Sequence, residues 1–158
     1  MAAKPKPIPD GYHSVTPYLI VRGAAHAIEF YRRAFGAEET VRMDGPGDMV
    51  MHAEIKIGDS VVMLADEFPD MGFVGPQTLG GSPVSLLIYV QDVDERFRRA
   101  IAAGAREVRP LQDQFYGDRS GTLSDPFGHV WTIATHKEDL SPAEMERRFQ
   151  DMMKQGGA

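Results

Sequence analysis

Residues 49–65 read MVMHAEIKIGDSVVMLA, two runs of alternating apolar residues on either side of Gly58-Asp59. Gly58 supplies the positive φ that the first central position of a two-residue hairpin loop needs, so the stretch predicts two antiparallel strands. The turn sets the register: Ile57 faces Ser60, Ile55 faces Val62, Glu54 faces Met63, Ala53 faces Leu64 and His52 faces Ala65. Because side chains alternate between faces, Ala53, Ile55, Ile57, Val62 and Leu64 share one apolar face that has to be buried. The other face carries His52, Glu54, Lys56, Val61, Met63 and Ala65, the mixture expected of a partly wet cleft wall.

Upstream, Ser14 to Val21 is β-rich and reads as a strand. Gly23 to Phe35 reads as a helix, with Ile28, Tyr31 and Phe35 at helical spacing, Arg32 and Arg33 near its end and Gly36 to stop it. Ala37 to Met43 is a second strand, and a turn-rich loop, Asp44 to Asp48, leads into the hairpin. The order is β-α-β-β-β. Residues 1–13, with Pro5, Pro7 and Pro9, are expected to form an extended, flexible arm.

The same order recurs downstream. Val84 to Val90 reads as a strand, Asp92 to Ala103 as a helix ended by Gly104, Arg106 to Leu111 as a strand, and Tyr116 to Thr135 as a hairpin. That hairpin turns at Asp125-Pro126-Phe127-Gly128, whose residue types suit a type I turn. A shift of 69 (85 − 16) places Ser85 on Thr16 and also Thr132 on Met63, so the chain reads as a duplicated module. Between the copies, the Gly- and Pro-rich segment 68–83 holds Phe68, Met71, Phe73 and Leu79; so many large apolar residues suit a cover over a surface or cleft. Ser141 to Gln155 reads as a last helix, with a capping box of Ser141, Pro142 and Glu144 and an apolar stripe of Met145, Phe149, Met152 and Met153. That stripe suits packing on its own domain or a contact with a second copy.

The chain has 158 residues, a formal net charge of −6 and no cysteine. A thiolate nucleophile or thiolate metal site is therefore excluded, and an excess of negative charge argues against a nucleic-acid partner. The N-terminus lacks an apolar signal core and no run reaches the ~20 apolar residues of a membrane span, so a cytoplasmic protein with no membrane partner is expected.

Several stretches, AIEFYRRAFGA at 27–37, YGDR at 116–119 and DPFGHVW at 125–131, together with the paired modules, resemble the vicinal oxygen chelate superfamily, most closely its PhnB-like, glyoxalase-like branch. That superfamily includes glyoxalase I, bleomycin resistance proteins, fosfomycin resistance enzymes and extradiol dioxygenases. The resemblance implies an α+β fold: two tandem βαβββ modules (14–67 and 84–136) forming a curved, barrel-like mixed sheet around a concave cleft, plus the C-terminal helix 141–155. In metal-dependent relatives the first and last strand of each module supply His, Gln or Glu ligands. The matching positions here are Thr16, Met63, Ser85 and Thr132, none of them a good ligand for a hard or borderline divalent ion. No cofactor is therefore expected, and a divalent ion would have to sit away from its usual place.

These readings give a small-molecule-binding protein, expected as a homodimer. Its ligand-binding candidates are Thr16, Tyr18, Met63, Ser85, Leu87, Tyr89, Tyr116, Arg119 and Thr132. Arg119 beside Asp118 suits either an anion clamp at the cleft mouth or a surface ion pair. The alternative is an enzyme, a glyoxalase-type lyase or isomerase or a dioxygenase, with a displaced or absent metal and with His52 and Glu54 as the catalytic pair. Trp131 and His129 alternate to the helix-facing side, which assigns Trp131 to the core.

Overall fold

The computed structural model describes residues 4–156. The Gly58 hairpin lies in a first module of β1 (Tyr18–Val21), α1 (Ala24–Phe35), β2 (Glu38–Asp44), β3 (Val50–Ile57) and β4 (Ser60–Asp66). Gly58 has φ of 59°, and β3 pairs with β4 with Ile57 opposite Ser60, Ile55 opposite Val62, Glu54 opposite Met63 and Ala53 opposite Leu64. A 3-10 turn (Pro69–Met71) and a short α2 (Pro76–Leu79) then lead to β5 (Ser85–Tyr89), α3 (Val93–Ala103), β6 (Arg106–Asp113), β7 (Asp118–Ser124) and β8 (Val130–His136). The C-terminal α4 spans Pro142–Gly156.

Each module makes one four-stranded sheet, ordered β1-β4-β3-β2 and β5-β8-β7-β6. In both, the first strand runs parallel to the last, which only a crossover through the intervening helix allows. Tyr18 pairs with Met63 and Leu87 with Thr132, the same 69-residue shift that the sequence repeat carries. The sheets remain two curved sheets and do not close into a barrel. Helices α1 and α3 pack on each other, and the helix-facing side chains of both modules merge in one core, among them Ile55, Leu64, Phe97, Leu123, Trp131 and Ile133. Burying that core turns both helix faces inward and leaves the opposite sheet faces outside it.

The modules are joined through Asp125, at the start of the type I turn whose Gly128 N–H donates to the Asp125 carbonyl at 3.2 Å. The Asp125 side chain is buried and accepts four hydrogen bonds: from the Tyr31 hydroxyl of α1 at 2.6 Å, from Trp131 Nε1 at 2.9 Å, and from the backbone N–H groups of Phe127 and His129 at 2.9 and 3.0 Å. Around it the Tyr31 and Phe35 rings lie 5.4 and 4.8 Å from that of Trp131, within the range of favourable aromatic pairs. Burial first, and the adjacent Asp125 carboxyl second, raise the Tyr31 phenol well above its ordinary pKa, so it stays a donor.

Three local expectations are revised. Strand β1 starts at Tyr18 rather than Ser14, because Pro17 has no N–H for the ladder, although its carbonyl accepts from Met63 N at 2.9 Å. The Gly- and Pro-rich segment 68–83, given no element from its sequence, contains the 3-10 turn at Pro69–Met71 and the short α2. At α4 only half of the capping box forms: Ser141 Oγ accepts from Glu144 N at 3.2 Å, while the Glu144 carboxylate is taken by Arg147 and Arg148. Those two guanidiniums hold Glu144 down to a pKa of about 2.

Tyr31→Phe is expected to lower stability in urea by about 1–2 kcal/mol, and Asp125→Ala by about 3 kcal/mol or more because it orphans four buried donors at once. Equal unfolding midpoints for Tyr31→Phe and wild type would show that the inter-module bond contributes nothing.

Candidate functional site

The outer face of the first sheet carries the residues that the hairpin register set aside. His52 follows Met51 beyond an irregularity in the β2–β3 pairing, and Glu54 sits opposite Met63. The Glu54 side chain, only 7% exposed, needs donors, and it has two: His52 Nε2 lies 3.2 Å from Oε1, and the Tyr12 hydroxyl donates to Oε2. A carboxylate cannot donate, so His52 carries a proton on Nε2, and its Nδ1 lies 2.8 Å from the Tyr18 hydroxyl, within hydrogen-bond reach. The result is a continuous polar chain, Tyr18–His52–Glu54–Tyr12. The bond from Tyr12 is the main cause holding Glu54 below its ordinary pKa of 4.5, with His52 adding to it against desolvation.

Beside this chain lies an apolar cleft of about 510 Å³, walled by Tyr18, Ile20, Met51, Phe68, Met71 and Phe73. The segment after β4 closes one side of it. Phe68 and Phe73 exchange backbone hydrogen bonds at 2.7 and 3.1 Å, and Glu67 accepts from Gly75 N at 2.7 Å and from the Thr78 hydroxyl at 2.5 Å. A Cβ on Gly75 would lie 2.7 Å from the Ile20 carbonyl oxygen, so only glycine lets the segment cross β1 there. Asp66 also borders the cleft, but its oxygens accept from Gly23, Ala24 and Val50 N–H groups at 2.8 Å, which caps α1 and fixes β3.

A second cavity of about 430 Å³ lies under the N-terminal arm, between Pro7, Ile8, Pro9 and Tyr12 on one side and Thr16, Glu54 and Met63 on the other. Thr16 precedes β1 and its hydroxyl donates to the His13 carbonyl at 3.2 Å.

The second module's candidates are elsewhere. Neither cavity over the first sheet includes Ser85, Leu87, Tyr89 or Thr132, so one chain does not unite the two halves of the expected concave cleft. Leu87 and Tyr89 border a groove between the modules with Val15, Pro17 and Ser60. Ser85 is exposed, and the Thr132 hydroxyl is 3.0 Å from that of Thr122. Tyr116 stands edge-on to Phe115 at 5.2 Å, away from both cavities. Arg119 is held by Asp94 at 2.8 and 2.9 Å and by Asp113 at 3.4 Å, the surface ion pair rather than a free clamp.

Sequence reasoning passed over a second polar cluster. Tyr89 donates to Asp118 at 3.0 Å, His136 Nδ1 donates to the other Asp118 oxygen at 2.7 Å, and His136 Nε2 donates to Asp139 at 2.9 Å. Two carboxylate partners, Asp118 first, raise the His136 pKa above its ordinary 6.5. A histidine closing β8, next to a strand that starts with aspartate, was the available signal.

As metal ligands, Thr16 and Met63 line the cavity under the arm, which Ser85 and Thr132 do not border, and the four are hydroxyls and a thioether. His52 and Glu54 supply two good donors, already committed to each other and to two phenols. Among the described residues no group of three His, Cys, Asp or Glu is placed to hold an ion. These residues do not fit the four-ligand divalent centre.

Comparison with known proteins gives a consistent result. Residues 11–133 match the model of the glyoxalase/bleomycin resistance protein/dioxygenase superfamily. An uncharacterised protein of Mycobacterium bovis is 41% identical over 136 residues, covering 84% of this chain and 90% of its own. The crystal structure of TioX from Micromonospora sp. ML1 superposes with a TM-score of 0.61 at 27% identity, covering 82% of this chain and all of that one. The PhnB protein of Bacillus cereus shares the fold with a TM-score of 0.59 at 22% identity, over 78% of this chain and 99% of that one.

Opposite pH signatures are expected from the two clusters. Glu54 is depressed when folded, so its stabilising contribution is full above pH 4.5 and is lost as pH falls through the lower folded value. His136 is raised, so its contribution is full below pH 6.5 and is lost as pH rises through the higher folded value. Denaturation of Glu54→Gln and His136→Asn against wild type across pH checks both. A stability gap that does not change with pH would contradict the assigned partners.

Proposed function

The chain belongs to the glyoxalase/bleomycin resistance protein/dioxygenase superfamily, and from that premise we propose that it binds an aromatic or mixed-polarity small molecule in the cleft over the first sheet, without a divalent metal. The observation that carries this reading is the adjacency of an apolar cleft of about 510 Å³ to the Tyr18–His52–Glu54 chain. Small-molecule sites are built in this way, from apolar walls with a few directional polar groups. Met51, Met71, Phe68 and Phe73 suit flat ligands, since thioethers adapt to irregular shapes and contact ring edges favourably.

Magnitudes assign the roles. A ring burying about 150 Å² of apolar surface gains about 4 kcal/mol, which by itself corresponds to roughly millimolar affinity. Tighter binding and orientation depend on the polar chain. A second reading, proton transfer by His52 with Glu54, is favoured by the geometry, in which an imidazole sits between a phenol and a carboxylate.

The proposal includes a homodimer in the cytoplasm. Supporting it are the large apolar side chains left exposed on the sheet faces turned from the helices, Tyr18, Met43, Leu87 and Tyr89, and on α4, Met145, Phe149, Met152 and Met153. No α4 residue is buried in the single chain. Apolar surface of this extent is what a second copy covers. No helix among the described residues is long and apolar enough to cross a membrane.

A thermal-shift screen of aromatic compounds is expected to yield ligands that raise the melting temperature, with affinity about tenfold weaker in Phe73→Ser. Elemental analysis after dialysis against divalent ions belongs to the same experiment: a stoichiometric ion lost on His52→Ala would replace the metal-free proposal by the enzyme reading. Deleting residues 141–158 is expected to shift sedimentation toward monomer. An unchanged profile would remove α4 from the dimer contact.

A further inference from the structure

The N-terminal arm crosses the sheet face that the ligand-binding reading assigns to function, and this inference rests on that reading. The arm's hold on the module is narrow. Residues 4–11 are exposed, and the Lys6–Asp10 pair lies wholly within the arm, with both side chains mostly in solvent. Beyond Tyr12, contact with the module is a 3.3 Å bond from His13 Nε2 to the Asp59 carbonyl. Tyr12 is the anchor: it is half-buried, it shares a cavity wall with Met63 and Thr16, and its hydroxyl meets Glu54 Oε2.

Glu54 explains why that anchor is a phenol. One carboxylate oxygen is satisfied from within the sheet by His52, and the other, buried in the same group, accepts among the described residues from the Tyr12 hydroxyl alone. A buried carboxylate oxygen without a donor is costly, so the site calls for a donor at this spot, which the arm supplies as a phenol and which a ligand's hydroxyl supplies equally well. On the module's side of that cavity Met63 and Thr16 remain when the arm is away, and their thioether and methyl groups suit a ring. Tyr12 thus sets a hydroxyaryl group on the same cavity wall as Met63, with its O–H on Glu54.

We infer that the Glu54 end of the site is a phenol-binding subsite, which Tyr12 fills in the free chain and which a hydroxyaryl ligand takes over by displacing the arm. The arm then sets a threshold: the intrinsic affinity for a phenol is reduced by the fraction of time the arm is docked. The ligand's O–H points at Glu54 Oε2, and its ring lies against Met63. Glu54 also connects this subsite to the larger cleft through His52 and Tyr18, so a ligand longer than one ring spans both.

The test uses p-cresol, the tyrosine side chain as a free molecule, with toluene as the partner lacking the hydroxyl. Both are titrated calorimetrically into full-length wild type, Tyr12→Ala and Tyr12→Ala/Glu54→Leu. Tyr12→Ala is expected to bind p-cresol at least about tenfold tighter than wild type does, the gain for toluene to be much smaller, and Glu54→Leu to abolish the difference between the two probes. In wild type, p-cresol is expected to move the Tyr12 ring resonances toward those of an exposed tyrosine. Equal p-cresol affinity in wild type and Tyr12→Ala, or equal gains for p-cresol and toluene, would overturn the inference. If p-cresol fails while Phe73-dependent ligands still bind, the subsite falls and the cleft reading stands. If p-cresol binds as expected but no compound responds to Phe73→Ser, the larger cleft falls and the subsite stands.

Discussion

Asp125 is buried where the two modules meet, and a carboxylate in that position is tolerated only if donors surround it. Three of its four donors come from its own turn and from Trp131, and the fourth comes from Tyr31, 94 residues away on the helix of the other module. The group therefore acts as a geometric lock: α1 has to lie where its phenol reaches the second module's turn. His129, in the same turn, adds a contact to the Ile20 carbonyl of β1 at 3.0 Å. Once these bonds form, the rings of Tyr31, Phe35, Phe127 and Trp131 stack into a single core.

That lock decides which surfaces stay open. With both helix faces turned into a shared core, the outer sheet faces remain outside it, and the chain treats its two copies differently. On the first, the segment after β4 walls one side of the apolar cleft and the N-terminal arm covers a second cavity, and the Tyr18–His52–Glu54 hydrogen bonds run from one to the other. On the second, Leu87 and Tyr89 stay exposed.

The duplicated modules also differ in electrostatics. Each carries a tyrosine, a histidine and a carboxylate, but in a different order. In the first, histidine is central, bonded to a phenol and a carboxylate. In the second, Asp118 is central and His136 bonds two carboxylates, which favours the imidazolium. One topology thus presents a Tyr–His–Glu hydrogen-bonded chain on one sheet and a His–Asp ion pair on the other, a difference that the shared fold does not dictate.

Much of the fold was legible because it is local. Alternation around Gly58 dictated the β3–β4 register, helical spacing and glycine stops bounded α1 and α3, and parity along β8 put Trp131 in the core. The repeat was visible because both copies kept their strand spacing, and the same parity placed His52 and Glu54 on the face shared with Met63. What the sequence could not determine are contacts between residues far apart in the chain. Tyr12 meets Glu54 across 42 positions, and nothing in a proline-rich arm says which surface it crosses. Arg119 is drawn to Asp94, 25 residues away, rather than to a ligand, because α3 happens to present that carboxylate. Periodicity fixes which side of an element is apolar, since that depends only on neighbours in the chain. Which buried donor meets which acceptor depends on how the elements pack, and only the tertiary structure decided it.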